Sequence, residues 1–69
     1  MSRQTLRDAH THVIGYIDTD ARGVQTARDS HLHLLGRYEP QHDVTRDAHA
    51  RLVGSGNQLA ALIAGAAGH

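Results

Sequence analysis

"RDAHTHVIG" at residues 7–15 is followed by two near-copies, "RDSHLHLLG" at 28–36 and "RDAHARLVG" at 46–54. The phrases start 21 and 18 residues apart. Each runs Arg-Asp, then Ala or Ser, then His, and closes on two aliphatics and a glycine: Val13-Ile14-Gly15, Leu34-Leu35-Gly36 and Leu52-Val53-Gly54. A repeat of about 20 residues suits two short strands and two turns rather than a helix pair.

The Asp-Ala-His-Thr, Asp-Ser-His-Leu and Asp-Ala-His-Ala stretches read as tight turns, because an Asp carboxylate at the first turn position can accept the N–H groups ahead of it. A second, longer class of turn is expected at "DTDARG" (18–23) and "EPQHD" (39–43), each carrying a breaker, Gly23 or Pro40. Between the turns lie β-like runs: "QTLRD", "HVIGYI", "VQTARD", "LHLLGRY", "DVTRD" and "RLVG". The expected fold is mainly β, a single domain over 1–69 with about six short strands in three hairpin repeats. The repeats cover about 5–23, 24–43 and 44–56.

Strict alternation along a strand puts Val13, Gly15 and Ile17 on one face with Leu34, Gly36, Tyr38, Leu52 and Gly54. The other face then carries His12, Ile14, Tyr16, His33, Leu35, Arg37, Arg51, Val53 and Ser55. Such a sheet has apolar groups on both sides and needs two covers. One is the C-terminal stretch "SGNQLAALIAGAAGH", a predicted helix over 57–67 with Ser55 or Asn57 as cap. Leu59, Leu62, Ile63 and Ala66 form its apolar stripe. No charged side chain lies between Asn57 and His69, so the helix is apolar nearly all round, and its outer side is a candidate subunit contact.

The pattern Arg-Asp-Ala/Ser-x-x-x-aliphatic-aliphatic-Gly, closing with "GSGNQLAALI", resembles small bacterial proteins built from glycine-punctuated β-hairpin repeats, the β-flower-like and short β-solenoid families. The resemblance covers residues 5–63. It implies symmetric β assemblies and carries over no catalytic residue. In such repeats glycine commonly follows the turn residue, where this chain has Thr11, Leu32 and Ala50.

Composition supports association. The 69 residues contain no Cys, Phe or Trp and only two Tyr, so neither disulfides nor large aromatics staple the core. A chain of this size rarely gains more than ~3–5 kcal/mol from one core. Seven basic and seven acidic residues balance, and low net charge weakens the repulsion that keeps monomers apart. The expected interface residues are Ile14, Tyr16, Leu35, Leu59, Leu62 and Ile63. The expected function is a self-assembling structural homo-oligomer, a ring or a filament, with a protein-interaction adaptor as one alternative.

The other alternative is a transition-metal module. His10 and His12, and His31 and His33, form His-x-His pairs whose rings point the same way on a strand. Imidazole suits Zn, Cu, Ni or Fe, and His49 opens the third copy, where Arg51 replaces the second histidine. His42 and His69 read as incidental. Catalysis is not expected: Cys and Lys are missing, and the serines, Ser2, Ser30 and Ser55, lie in terminal or turn contexts. Three of the seven Arg sit beside an Asp, as Arg7-Asp8, Arg28-Asp29 and Arg46-Asp47, and no basic stripe is visible, which argues against nucleic acid. The Arg-Asp doublets are expected to fix register, each Arg meeting an Asp or a turn carbonyl of a neighbouring repeat. The polar start of the chain and the short apolar run at 59–68 suggest neither a signal peptide nor a membrane span, and a cytoplasmic location is the default expectation.

Overall fold

Each phrase makes one hairpin turn in the computed structural model of the chain, which describes residues 2–67. The strands are β1 (Ser2–Arg7), β2 (Val13–Thr19), β3 (Gln25–Asp29), β4 (Leu34–Glu39), β5 (Val44–Asp47) and β6 (Leu52–Ser55), and the helix is α1 (Leu59–Ala67). The strands form one antiparallel meander in chain order, β1 to β6. Helix α1 lies across β2, β3 and β4 on one face. Among the described residues the opposite face carries no second layer.

The turns show why Arg-Asp recurs. Asp8 accepts the Thr11 N–H on its carbonyl at 3.1 Å and donates its own N–H to the His12 carbonyl at 2.9 Å. Its Oδ1 accepts the N–H groups of His10 and His12 at 2.8 and 3.0 Å. Arg7 Nη1 then donates to the Thr11 carbonyl at 3.0 Å. The same set recurs around Asp29 with Arg28, and around Asp47 with Arg46. This is a three-residue hairpin loop whose last residue is left-handed. Thr11, Leu32 and Ala50 hold that place at φ 65°, 68° and 64°, a conformation glycine adopts without cost. The side-chain bonds from Asp and Arg hold it here without glycine. The stretch at 18–23 was expected to turn differently. Instead Asp20 makes the same loop, with Gly23 at φ 86° in the left-handed place.

Strict alternation fails at one place in each repeat. Leu6 pairs with Gly15 but Arg7 with Val13; Ala27 pairs with Gly36 but Arg28 with Leu34; Thr45 pairs with Gly54 but Arg46 with Leu52. Ile14, Leu35 and Val53 are therefore the extra residues of three equivalent bulges, and a bulge resets which way the strand's side chains point. Ile14 and Leu35 pack against the core instead of facing away from it. Val13, Leu34 and Leu52 stand opposite Arg7, Arg28 and Arg46.

The core is small. Ile17, Ala27, Leu59 and Ile63 are buried, with Leu6, Ile14, Leu35, Tyr38 and Leu62 packed against them. Ile17 and Ala27 are cross-strand partners. The chain enters α1 through buried Thr45, whose Oγ1 donates to the Gly56 carbonyl at 2.7 Å and accepts the Gln58 N–H at 2.9 Å. Asn57 Oδ1 accepts the Leu59 N–H at 3.1 Å, as expected of a cap. Asn57 Nδ2 ties the helix start to Gln25 Oε1 at 2.7 Å.

Candidate assembly surface

The three repeats are alike in sequence and turn, so their burial is directly comparable. In the first two, α1 sits on the glycine. A β-carbon on Gly15 would meet Ile63 Cγ2 at 2.6 Å, and one on Gly36 would meet Leu62 Cδ1 at 2.7 Å. In the third, a β-carbon on Gly54 would meet nothing nearer than Gln58 Cγ at 4.0 Å. The aliphatic pairs follow the same trend. Val13 and Ile14 are half-buried, Leu34 is 37% exposed above half-buried Leu35, and Leu52 and Val53 are 62% and 42% exposed. The third repeat therefore bares more of its aliphatic pair than either predecessor does.

Helix α1, which lies across β2, β3 and β4, accounts for the cover of the two glycines, and the order of the strands adds to the difference. Val13 and Ile14 share a hollow with Asp29, Ser30 and His31 of the next turn and with Ala66 and Ala67 of α1, and Leu34 shares one with Asp47, Ala48 and Ala50 of the turn after that. Among the described residues no strand follows β6 in the sheet. Its outer edge offers unpaired backbone groups, and its sequence, Leu-Val-Gly-Ser, carries no charge. Exposed strand edges are ordinarily blunted by charge or proline. The other edge, β1, carries Arg3 and Arg7.

The expected interface residues divide. Leu59 and Ile63 are fully covered by the chain's own sheet, and Ile14, Leu35 and Leu62 pack against that core. Half-buried Tyr16 lies beneath the Arg3 guanidinium, 5.0 Å from ring centre to Cζ. The outer side of α1 is exposed at Ala60, Ala61, Ala64, Gly65, Ala66 and Ala67 and bears no charge. Leu52, the most exposed of the large hydrophobics, is not among the residues expected from the sequence. Its equivalence to Val13 and Leu34, with no fourth repeat behind it, was the available signal.

The face away from α1 is ionic. Arg3 grips Asp18 through two bonds, Nε–Oδ1 at 2.6 Å and Nη2–Oδ2 at 3.1 Å. Arg28 Nε approaches the same carboxylate at 3.6 Å, and Arg46 Nε approaches Glu39 at 3.5 Å. The Arg of a repeated phrase thus reaches back to an acid of the preceding repeat, while its Nη1 serves its own turn carbonyl. The hydrogen bond from Arg3, aided by its charge, holds Asp18 below the ordinary carboxylate range. Asp29 and Asp47 are lowered first by the backbone N–H groups of His33 and Arg51. The hydrogen bond to Asp43 raises Tyr38.

The histidines His10, His12, His31, His33 and His49 are all exposed. Their repeated contribution is the main-chain N–H, and Arg51 supplies the same bond in the third turn. The paired rings lie 6.4 Å apart for His10 and His12 and 6.1 Å for His31 and His33. His33 Nδ1 stands 3.2 Å from Asp29 Oδ2. Among the described residues no group of three or more His, Cys, Asp or Glu converges as a metal site would need. His69 lies outside the described residues.

No family model, curated protein or solved structure matches this chain. Among the described residues no helix is long and apolar enough to cross a membrane.

Proposed function

We propose that this chain is a structural subunit that assembles with copies of itself. The observation that carries the reading is the bare third repeat: Leu52 and Val53 are exposed where Val13, Ile14 and Leu35 are half-buried, and Gly54 is only half-buried where Gly15 and Gly36 are buried beneath α1. The strand that bears them is an uncharged edge of the sheet. Four large hydrophobics, Leu32, Leu34, Leu52 and Val53, stand exposed on a protein whose buried hydrophobic core comprises Ile17, Ala27, Leu59 and Ile63. Adjacent exposed aliphatics on an unblunted edge strand, as at Leu52 and Val53, favour contact with another surface, and balanced charge does not oppose contact between copies.

Size-exclusion chromatography with light scattering tests it. The wild type is expected to run above 7.5 kDa with a mass that rises with concentration. Leu52→Asp and Val53→Asp are expected to shift it toward the monomer while the circular-dichroism spectrum stays unchanged. A wild-type mass of one chain at every concentration would end the proposal.

A second reading rests on the ring spacing in the two His-x-His pairs. Each pair would supply two imidazoles to a Zn, Cu, Ni or Fe ion, and a second copy would supply the remaining ligands. Titration with Zn(II), Cu(II) and Ni(II) tests it. Wild type is expected to bind more tightly than a His12→Ala/His33→Ala variant, and equal weak binding by both would retire it.

A further inference from the structure

The sheet contains two joints between successive repeats, and both have the same register. Where β2 meets β3, Gly15 stands opposite Asp29 and Tyr16 opposite Arg28. Where β4 meets β5, Gly36 stands opposite Asp47 and Arg37 opposite Arg46. In each, the glycine that closes one phrase faces the Asp that opens the next, and the residue after the glycine faces the Arg. In each, the next turn also borders a hollow beside the preceding aliphatics: Val13 with Asp29 and Ser30, closed also by Ala66 and Ala67 of α1, and Leu34 with Asp47 and Ala48, closed also by Arg37 and Arg46.

Gly54 and Ser55 have no such partner within the chain. The one phrase whose Arg-Asp faces no preceding repeat is the first, Arg7-Asp8, at the end of β1, and β1 pairs only with β2. We infer that β6 of one copy pairs with β1 of the next, antiparallel, with Gly54 opposite Asp8 and Ser55 opposite Arg7. This rests on the proposal of self-assembly and specifies its interface. The turn at Asp8–His12 of the next copy then stands beside Leu52 and Val53, as the second turn stands beside Val13 and Ile14 and the third beside Leu34.

The direction of the chain agrees. In a meander β1 runs parallel to β3 and β5, so a β1 placed beyond β6 continues the alternation. Charge favours the same choice: β6 is uncharged and β1 carries Arg3 and Arg7, whereas two β1 edges would bring arginines together. The external joint is shorter than the internal ones. The chain turns away from the sheet at Gly56, φ 74°, leaving the two pairs next to the turn. The acid that meets the next Arg in the internal joints, Asp18 or Glu39, is replaced at the equivalent place by Asn57. The contact is therefore weak and reversible, and because it joins unlike edges it propagates head to tail.

The full chain contains no cysteine, so cross-linking reads the register directly. Residues facing each other on antiparallel strands have β-carbons about 4.5–5.5 Å apart, close enough for a disulfide after slight adjustment. Under mild oxidation, Arg7→Cys/Ser55→Cys is expected to give a ladder of dimers, trimers and larger species on a non-reducing gel. Ser55→Cys alone is expected to stay monomeric on the same gel, and Thr5→Cys/Ser55→Cys to link far less. A dimer from Ser55→Cys as abundant as the ladder would overturn the inference in favour of β6 pairing with β6. Light scattering on the same samples before oxidation separates the two claims: assembly without the ladder removes this register alone, and absence of assembly removes both.

Amide hydrogen exchange on the wild type covers the case in which Arg7→Cys disturbs its turn. From dilute to concentrated protein, slowing by about tenfold is expected at β1 and β6 together. Slowing at β6 with none at β1 would contradict the pairing.

Discussion

Ile63 rests on the backbone of Gly15: a β-carbon added there would lie 2.6 Å from Ile63 Cγ2 and 2.6 Å from the Arg28 carbonyl oxygen. Gly36 stands in the same relation to Leu62 and to the Arg46 carbonyl. The glycine of the repeated phrase is thus a seat for the helix in repeats one and two. Gly15→Ala is expected to destabilise the protein by about 1–3 kcal/mol through overpacking. Gly54→Ala is expected to stay within about 0.5 kcal/mol of wild type. Thermal unfolding of the two variants checks the contrast, and equal losses would mean that α1 does not sit where described.

Thr45 joins the sheet to the helix. Its hydroxyl is buried and serves two backbone groups, the Gly56 carbonyl and the Gln58 N–H. Thr45→Val keeps the shape and strands both, at an expected cost of roughly 1–3 kcal/mol. Thr45→Ser is expected to recover most of that loss. Denaturant melts of the three proteins decide it.

Leu32 is left-handed at φ 68° and half exposed. A non-glycine residue pays roughly 1–2 kcal/mol for that conformation, while glycine loses more freedom on folding. The difference leaves Leu32→Gly stabilising by about 0.5–1 kcal/mol, with Tm rising by a few degrees. A fall in Tm would mean that the Leu32 side chain contributes contacts beyond its turn.

Acid is expected to weaken the fold through Asp18, Asp29 and Asp47. Each is held below its ordinary value in the folded chain, Asp18 by Arg3 and the others by turn N–H groups. A carboxylate lowered on folding binds fewer protons folded than unfolded, so its contribution is complete above the unfolded value, near pH 4, and is lost as pH falls through the lower folded one. Tm should therefore drop from about pH 4 downward. The gap between wild type and Asp29→Ala should narrow between pH 6 and pH 3. A gap that is constant with pH would show that the turn does not need the ionised carboxylate.

Much of the fold was legible because its signals are local. Asp at the turn start, alternating aliphatics and the Leu-Ala stretch after Asn57 each announce one element, and the observed strands differ from the expected ones mainly at their ends. What was not legible depends on partners far along the chain. The bulges at Ile14, Leu35 and Val53 turn side chains that simple alternation had placed on the other face. The pairing of two adjacent aliphatics before each glycine, rather than an aliphatic and a polar residue, was their trace. The Thr45 clamp spans thirteen residues to Gln58 and leaves no sequence pattern. Leu59 and Ile63 were apolar enough for an interface or a core, and only their placement over Gly15 and Ala27 makes them core. The loop at Asp20 could have been read from its Asp-Ala-x-Gly spacing, which matches Asp8-Ala9-His10-Thr11.

Sedimentation equilibrium of the wild type, from low micromolar to millimolar concentration, tests self-assembly most directly. The expected result is an average mass that starts near 7.5 kDa and climbs with concentration, falling back when Leu52 is replaced by Asp. A flat 7.5 kDa across the whole range, with the fold intact, would contradict it.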